Sequence, residues 1–143
     1  MEKACAQTVE SSACHWMRAW VPVAAYMALI FYLSSLPHPE DQLPNFLFEK
    51  LGDKLLHAIE YSVLAMLCYR AFRRTVRAYA AQYAVVLAIA AASLYGATDE
   101  VHQAFVPLRA SSWTDWIADT AGAVIGAVGA RRFLERGAKD AIS

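Results

Sequence analysis

Histidine and carboxylates recur at helical spacing in this chain. Asp53, His57 and Tyr61 stand at i, i+4 and i+8, one stripe of a helix, with Lys54 beside it and Glu60 three residues after His57. Asp99-Glu100 is followed by His102 and Gln103, then by a short loop with Phe105, Pro107 and Arg109. Asp115 and Asp119 are again four apart. An imidazole oriented by a carboxylate can serve as general acid or base, so His57, Asp99 and Glu100 are the candidate catalytic residues. Lys54 and Arg109 can meet a phosphate or carboxylate, Arg bidentately. With Asp53, Tyr61, Gln103, Asp115 and Asp119 they make the candidate ligand-binding set. A metal variant would use His57 with two or three of the carboxylates and His102, a donor mix that suits Zn or Mn. There is no HExxH motif and no tightly spaced ligand pair, so no metal and no cofactor is assigned. Ser34 and Ser35 are weak nucleophile candidates, because serines at a helix end commonly bond the helix backbone. The competing explanation is a structural ion-pair network. In it Arg109 pairs with Asp115 or Asp119, and His57 bonds to Asp99 or Glu100. The number of costly groups in so small a protein favours function for the cluster as a whole.

These residues need positioning elements, and the chain offers four hydrophobic segments. Its 143 residues are 58% hydrophobic and 18% charged, below the roughly 25% charge of soluble domains. Mean hydropathy is +0.30. Ala19 to Pro39 and Ala78 to Thr98 carry no Asp, Glu, Lys or Arg, and each is long enough to cross about 30 Å of hydrocarbon. Leu55 to Tyr69 is apolar except for His57 and Glu60, and Trp113 to Ala130 except for Asp115 and Asp119. A charge inside a span is costly, so these groups should lie near helix ends and face the bundle interior. Ala118, Gly122, Gly126 and Ala130 form a small-xxx-small series that lets helix backbones approach closely, within one chain or between two. A homo-oligomer through Gly122 and Gly126 is therefore open. The first segment is expected to stay uncleaved, since the stretch before it is long and Leu33-Ser34-Ser35 is a poor processing site.

Charge orients the segments. Ten of the thirteen Lys and Arg residues (Lys3, Arg18, Arg70, Arg73, Arg74, Arg77, Arg131, Arg132, Arg136 and Lys139) fall on one side of the pattern. Nine of the thirteen acids fall on the other (Glu40, Asp41, Glu49, Asp53, Glu60, Asp99, Glu100, Asp115 and Asp119). By the positive-inside rule the basic side is cytoplasmic. The expected architecture is an all-α four-helix transmembrane bundle with N-terminus and C-terminus cytoplasmic. It divides into a cytoplasmic segment 1–17, a spanning domain 18–130 and a basic tail 131–143. Trp16, Trp20, Trp113 and Trp116 fall near the interfaces. The cytoplasmic arginines are a topology signal that can also meet anionic lipid headgroups. Three Cys without a CxxC pair give no disulfide framework, and a formal net charge of zero argues against nucleic acid. The first and third segments carry no ionisable group at depth, which disfavours a transmembrane ion path.

The ordered pattern Asp53-Lys54-x-x-His57-x-x-x-Tyr61-x-x-Leu64, Asp99-Glu100-x-x-Gln103-x-Phe105-x-Pro107-x-Arg109, Asp115 and Gly122-x-x-x-Gly126 resembles the VanZ-like family of small bacterial membrane proteins. Ser34-Ser35 fits as well, and the resemblance covers about residues 18 to 130. Leu108 stands where that family usually has Gly, and Asp119 where it frequently has Asn. The resemblance implies a multi-pass protein of the bacterial cytoplasmic membrane acting in the cell envelope. It also suggests a link to teicoplanin-type glycopeptide resistance. The expected partners are the lipid bilayer and an envelope lipid or peptidoglycan precursor, bound or modulated in an outward-facing polar pocket. The alternative is a membrane-embedded hydrolase or transferase with His57 as general base or metal ligand. Shared fold alone does not decide between them.

Overall fold

Long uncharged runs leave the backbone no cheaper arrangement in hydrocarbon than helix, and helix is what forms. The computed structural model describes residues 2–37, 52–109 and 111–140, without the side chains of 2–13, 53, 78, 79 and 138–140. Four long helices, α1 (Glu2–Ser34), α2 (Asp53–Thr75), α4 (Ala84–Gln103) and α5 (Trp113–Asp140), are joined by one-turn α3 (Ala78–Ala81), with no strand among the described residues. Cys14–Ser34, Lys54–Thr75 and Ala84–Gln103 are each long and apolar enough to cross a membrane.

Three boundaries differ from the sequence reading. The first apolar run stops being helical at Ser34, not Pro39; Pro37 and Pro39 lack the donor a helix needs and restrict the residues before them. The third segment breaks near Gln82, restarts at Ala84 and continues past Thr98 to Gln103. Asp99, Glu100 and Gln103 are therefore buried on a helix rather than spread through a loop. Gln103 Nε2 donates to Asp99 Oδ2 at 2.8 Å across that last turn. The fourth helix runs on past Ala130 to Asp140, where Arg131 and Glu135 pair at 2.7 Å one turn apart.

The interior is built from small residues. Ala84, Ala88, Ala92 and Gly96 line the buried face of α4, and Ala123 and Ala127 that of α5, while Val86, Leu94 and Ile125 point outward. Small inside and large apolar outside is the packing pattern of helices in lipid, where close backbone approach replaces hydrophobic burial. The glycine series supplies the closest approach. A Cβ on Gly122 would lie 2.0 Å from the Ala58 carbonyl oxygen, and one on Gly126 2.0 Å from that of Ser62. The two glycines are thus taken up by α2 of the same chain, and α2 packs more extensively on α5 than on any other helix. Because α1 and α4 end where α2 and α5 begin, the bundle has two chemically distinct ends. At one end Trp20 Nε1 donates to Thr75 Oγ1 at 3.1 Å, and Trp20 meets Phe72 edge-on at 5.1 Å.

Candidate functional site

The other end gathers the polar residues. His57 rises from the first turns of α2 one residue before Ala58, so the glycine seam sets its height against α5. There Nδ1 lies 3.0 Å from Asp119 Oδ1. This shared hydrogen bond holds the ring in one orientation. Among the described side chains His57 thus meets Asp119, with no hydrogen bond to Asp99 or Glu100; the side chain of Asp53 lies outside them. Asp119 is 0% exposed, and its second oxygen, Oδ2, has no hydrogen-bond partner. That oxygen rests over Gly96, where an added Cβ would stand 3.0 Å away. Gly96 thereby makes room for a carboxylate between α4 and α5.

Lys54 Nζ bridges Asp115 Oδ1 at 2.5 Å and Thr114 Oγ1 at 2.7 Å, with its stem 62% exposed. Asp115 therefore pairs with Lys54 and not with Arg109. Arg109 Nη2 instead donates to the Leu33 carbonyl at 3.2 Å, tying the loop after α4 to the end of α1, while its Nε is buried without a partner. Glu100 Oε2 accepts from the Ser112 amide at 2.7 Å, and its Oε1 is unpartnered. Asp99 Oδ1 and the Tyr61 hydroxyl are likewise buried and unpartnered. Tyr61 is wholly enclosed, its ring 6.4 Å from that of Tyr95. Glu60 interacts electrostatically with His57, Asp99, Asp119 and Arg109, which adds another carboxylate to the group.

The structure thus brings together Lys54, His57, Tyr61, Asp99, Glu100, Gln103, Arg109, Asp115 and Asp119 at one end of the bundle. The side chain of Asp53, and the acids Glu40, Asp41 and Glu49, lie outside the described residues. His102 is directed elsewhere. Its ring stacks on Phe31 at 4.4 Å, and Nε2 lies 2.9 Å from Ser35 Oγ. The Ser35 hydroxyl is 2.6 Å from the Phe31 carbonyl and donates there, so His102 donates to it and is not poised to take its proton. Ser34 also bonds the Phe31 carbonyl, at 3.1 Å. Both serines close the helix end, as serines commonly do. Two residues unassigned by sequence reasoning also shape the site, Ser112 through its amide and Gly96 through its missing side chain. The first had no sequence signal. The second sits three residues before Asp99 on the small-residue face of α4.

The chemical capacity of this arrangement is limited but definite. It holds an imidazole against a buried carboxylate, and it buries several carboxylate oxygens that have no protein hydrogen-bond partner. A family model described as VanZ/LLP1 matches residues 6–134 of the chain. No curated protein and no solved structure matches it.

Proposed function

The chain belongs to the VanZ/LLP1 family, and from that membership we propose a four-span protein of the bacterial inner membrane with both termini in the cytoplasm. Its outward polar cluster binds or modulates a cell-envelope ligand. The orientation is supported by the basic residues at the far end, and the fourth span by the burial of Asp115 and Asp119 against the other helices. Residues 18–130 make the spanning domain and 131–143 a basic cytoplasmic tail.

The observation that carries the binding reading is the concentration at one bundle end of five of the six buried polar atoms left open among the described residues: Asp119 Oδ2, Glu100 Oε1, Asp99 Oδ1, the Tyr61 hydroxyl and Arg109 Nε, with only Arg70 Nε at the other end. A stable protein satisfies nearly all such atoms, and each orphan costs about 1–3 kcal/mol. A ligand entering from the headgroup layer would complete them. Arg109 and Lys54 would meet its phosphate or carboxylate, Lys54 by exchanging Asp115 for the ligand. The test is native mass spectrometry of the gently extracted protein. Wild type is expected to carry an envelope lipid or precursor, and Arg109→Ala to lose it. Equal lipid on both proteins overturns the reading. Glycopeptide resistance is the most specific role the family suggests, and it predicts altered teicoplanin susceptibility when the protein is removed from its host.

A second reading has one observation in its favour. The His57–Asp119 pair has the orienter–base geometry of a hydrolase or transferase. Turnover of a lipid-linked precursor by wild type, lost in His57→Ala, would select it over simple binding.

A further inference from the structure

The most unusual feature of the cluster is the meeting of three buried side chains from three different helices. His57 of α2, Glu100 of α4 and Asp119 of α5 each offer a ligand atom, and these atoms all lie within 4.8 Å of one another. Bonds of about 2.0–2.2 Å keep two donors of one ion within about 4.4 Å of each other, so only a small inward movement of these side chains would close them around a cation. We propose that His57, Glu100 and Asp119 form a binding site for one divalent transition-metal cation of the Zn or Mn kind. The site lies within the cluster assigned above to ligand binding, so its functional meaning rests on that reading, although its existence does not.

Four observations support it. First, each carboxylate keeps one oxygen free: Asp119 Oδ2 and Glu100 Oε1 are buried and lack partners, while Asp119 Oδ1 and Glu100 Oε2 are held by His57 and by the Ser112 amide. For Glu100, one oxygen anchored by the Ser112 amide and one open is how an outer hydrogen bond aims a ligating carboxylate; Asp119 Oδ1 instead faces its fellow ligand His57. Second, the donor chemistry is selective. One imidazole with two carboxylates suits Zn or Mn, whereas Mg and Ca favour oxygen alone. Third, a dication would offset the surplus of negative charge, because Asp99 and Glu60 add to the two ligating carboxylates. Lys54 is engaged by Asp115, and Arg109 by Leu33. Fourth, the ligands are preorganised by packing. The Gly122–Ala58 contact fixes α2 against α5 beside His57, and Gly96 receives Asp119. Three protein donors leave a coordination position open, the arrangement of sites that take a further ligand. His102 of the sequence-level metal set is not included, since its Nε2 faces Ser35.

The test is metal analysis of the full chain, purified without a His tag in detergent or nanodiscs, stripped with a chelator, then titrated with Zn2+ and Mn2+ alone. Wild type is expected to bind about one equivalent, and His57→Ala, Glu100→Gln and Asp119→Asn to bind at least about tenfold more weakly. Binding far below one equivalent by wild type, or unaltered binding by all three variants, overturns the proposal. Should the variants fold poorly, the stripped wild type decides it alone. Saturating metal must raise its thermal midpoint, as any ligand selective for the native state does, and an unmoved midpoint counts against the site. Arg109→Ala separates the two readings. It is expected to lose the envelope lipid and keep the metal; in wild type, metal bound without lipid would sink the ligand reading alone, and lipid without metal this one.

Discussion

The two ends of the bundle use charge in opposite ways. At the basic end Arg73, Arg74, Arg77, Arg131, Arg132 and Arg136 are exposed and only Arg70 is half-buried. At the other end Asp99, Glu100, Asp115, Asp119 and His57 are all buried. Exposed charge outside the bilayer is inexpensive and needs no exact partner. Buried charge at membrane depth is expensive and persists only when something compensates it. The lesson is that charge count alone separates the ends by topology, whereas burial separates them by role.

Orientation is where that comparison would break most visibly. Replacing Arg70, Arg73, Arg74 and Arg77 together by Gln removes the strongest positive-inside signal and is expected to give mixed topology. Reaction of a cysteine placed at Ser112 with a membrane-impermeant thiol reagent reports it, in a background where the native cysteines are replaced. Full external labelling in both proteins would mean that the basic end does not set orientation.

Next in size is the seam that holds the polar end together. Gly122→Ala forces a methyl into the Ala58 carbonyl and must separate α5 from α2, a loss of about 3 kcal/mol by the overpacking scale. Gly129→Ala, further along α5 where nothing lies within 4 Å, is expected to be neutral or to gain up to about 1 kcal/mol of helix propensity. Unfolding by graded denaturing detergent measures both. Equal effects would remove the seam from the account.

Single charges come third. Lys54→Met leaves buried Asp115 without its closest cation, and the cost expected for an orphaned buried acceptor is about 1–3 kcal/mol. Arg131→Met breaks an exposed pair with Glu135 at the opposite end and is expected to leave the thermal midpoint unchanged. A larger loss at Arg131 than at Lys54 would reverse the distinction between the ends.

Much of this was legible in the residues. Uncharged runs located the helices, the Lys and Arg distribution separated the ends, and the spacing of Asp53, His57 and Tyr61 or of Asp115, Asp119 and Gly122 placed them on shared faces. What the chain could not reveal was which face meets which. His57 finds Asp119 instead of Asp99 or Glu100 because Gly122 and Gly126 fix the rotation and height of α5 against α2, a tertiary constraint with no local signature. The ends of α4 and α5 differ from the sequence reading for a related reason. Polar residues such as Glu100 and Gln103 read as loop until a buried partner or a turn-to-turn bond keeps them helical, and Arg131 reads as tail until Glu135 is seen one turn on.

The smallest expected effect concerns the loop that carries Arg109 back over the polar end. Leu108 has φ +66°, the left-handed region that a branched side chain enters at a cost of about 1–2 kcal/mol, and its side chain is 78% exposed, so packing returns little. A glycine would adopt this φ without strain. Leu108→Gly should relieve the strain while loosening the unfolded chain, for a net gain of less than about 1 kcal/mol. The Arg109–Leu33 bond should survive, since the Gly can keep the same φ. A raised midpoint with lipid retention unchanged would show the strain to be incidental. A raised midpoint with weaker lipid retention would show that the polar end, unlike the basic one, spends stability to hold Arg109 in place.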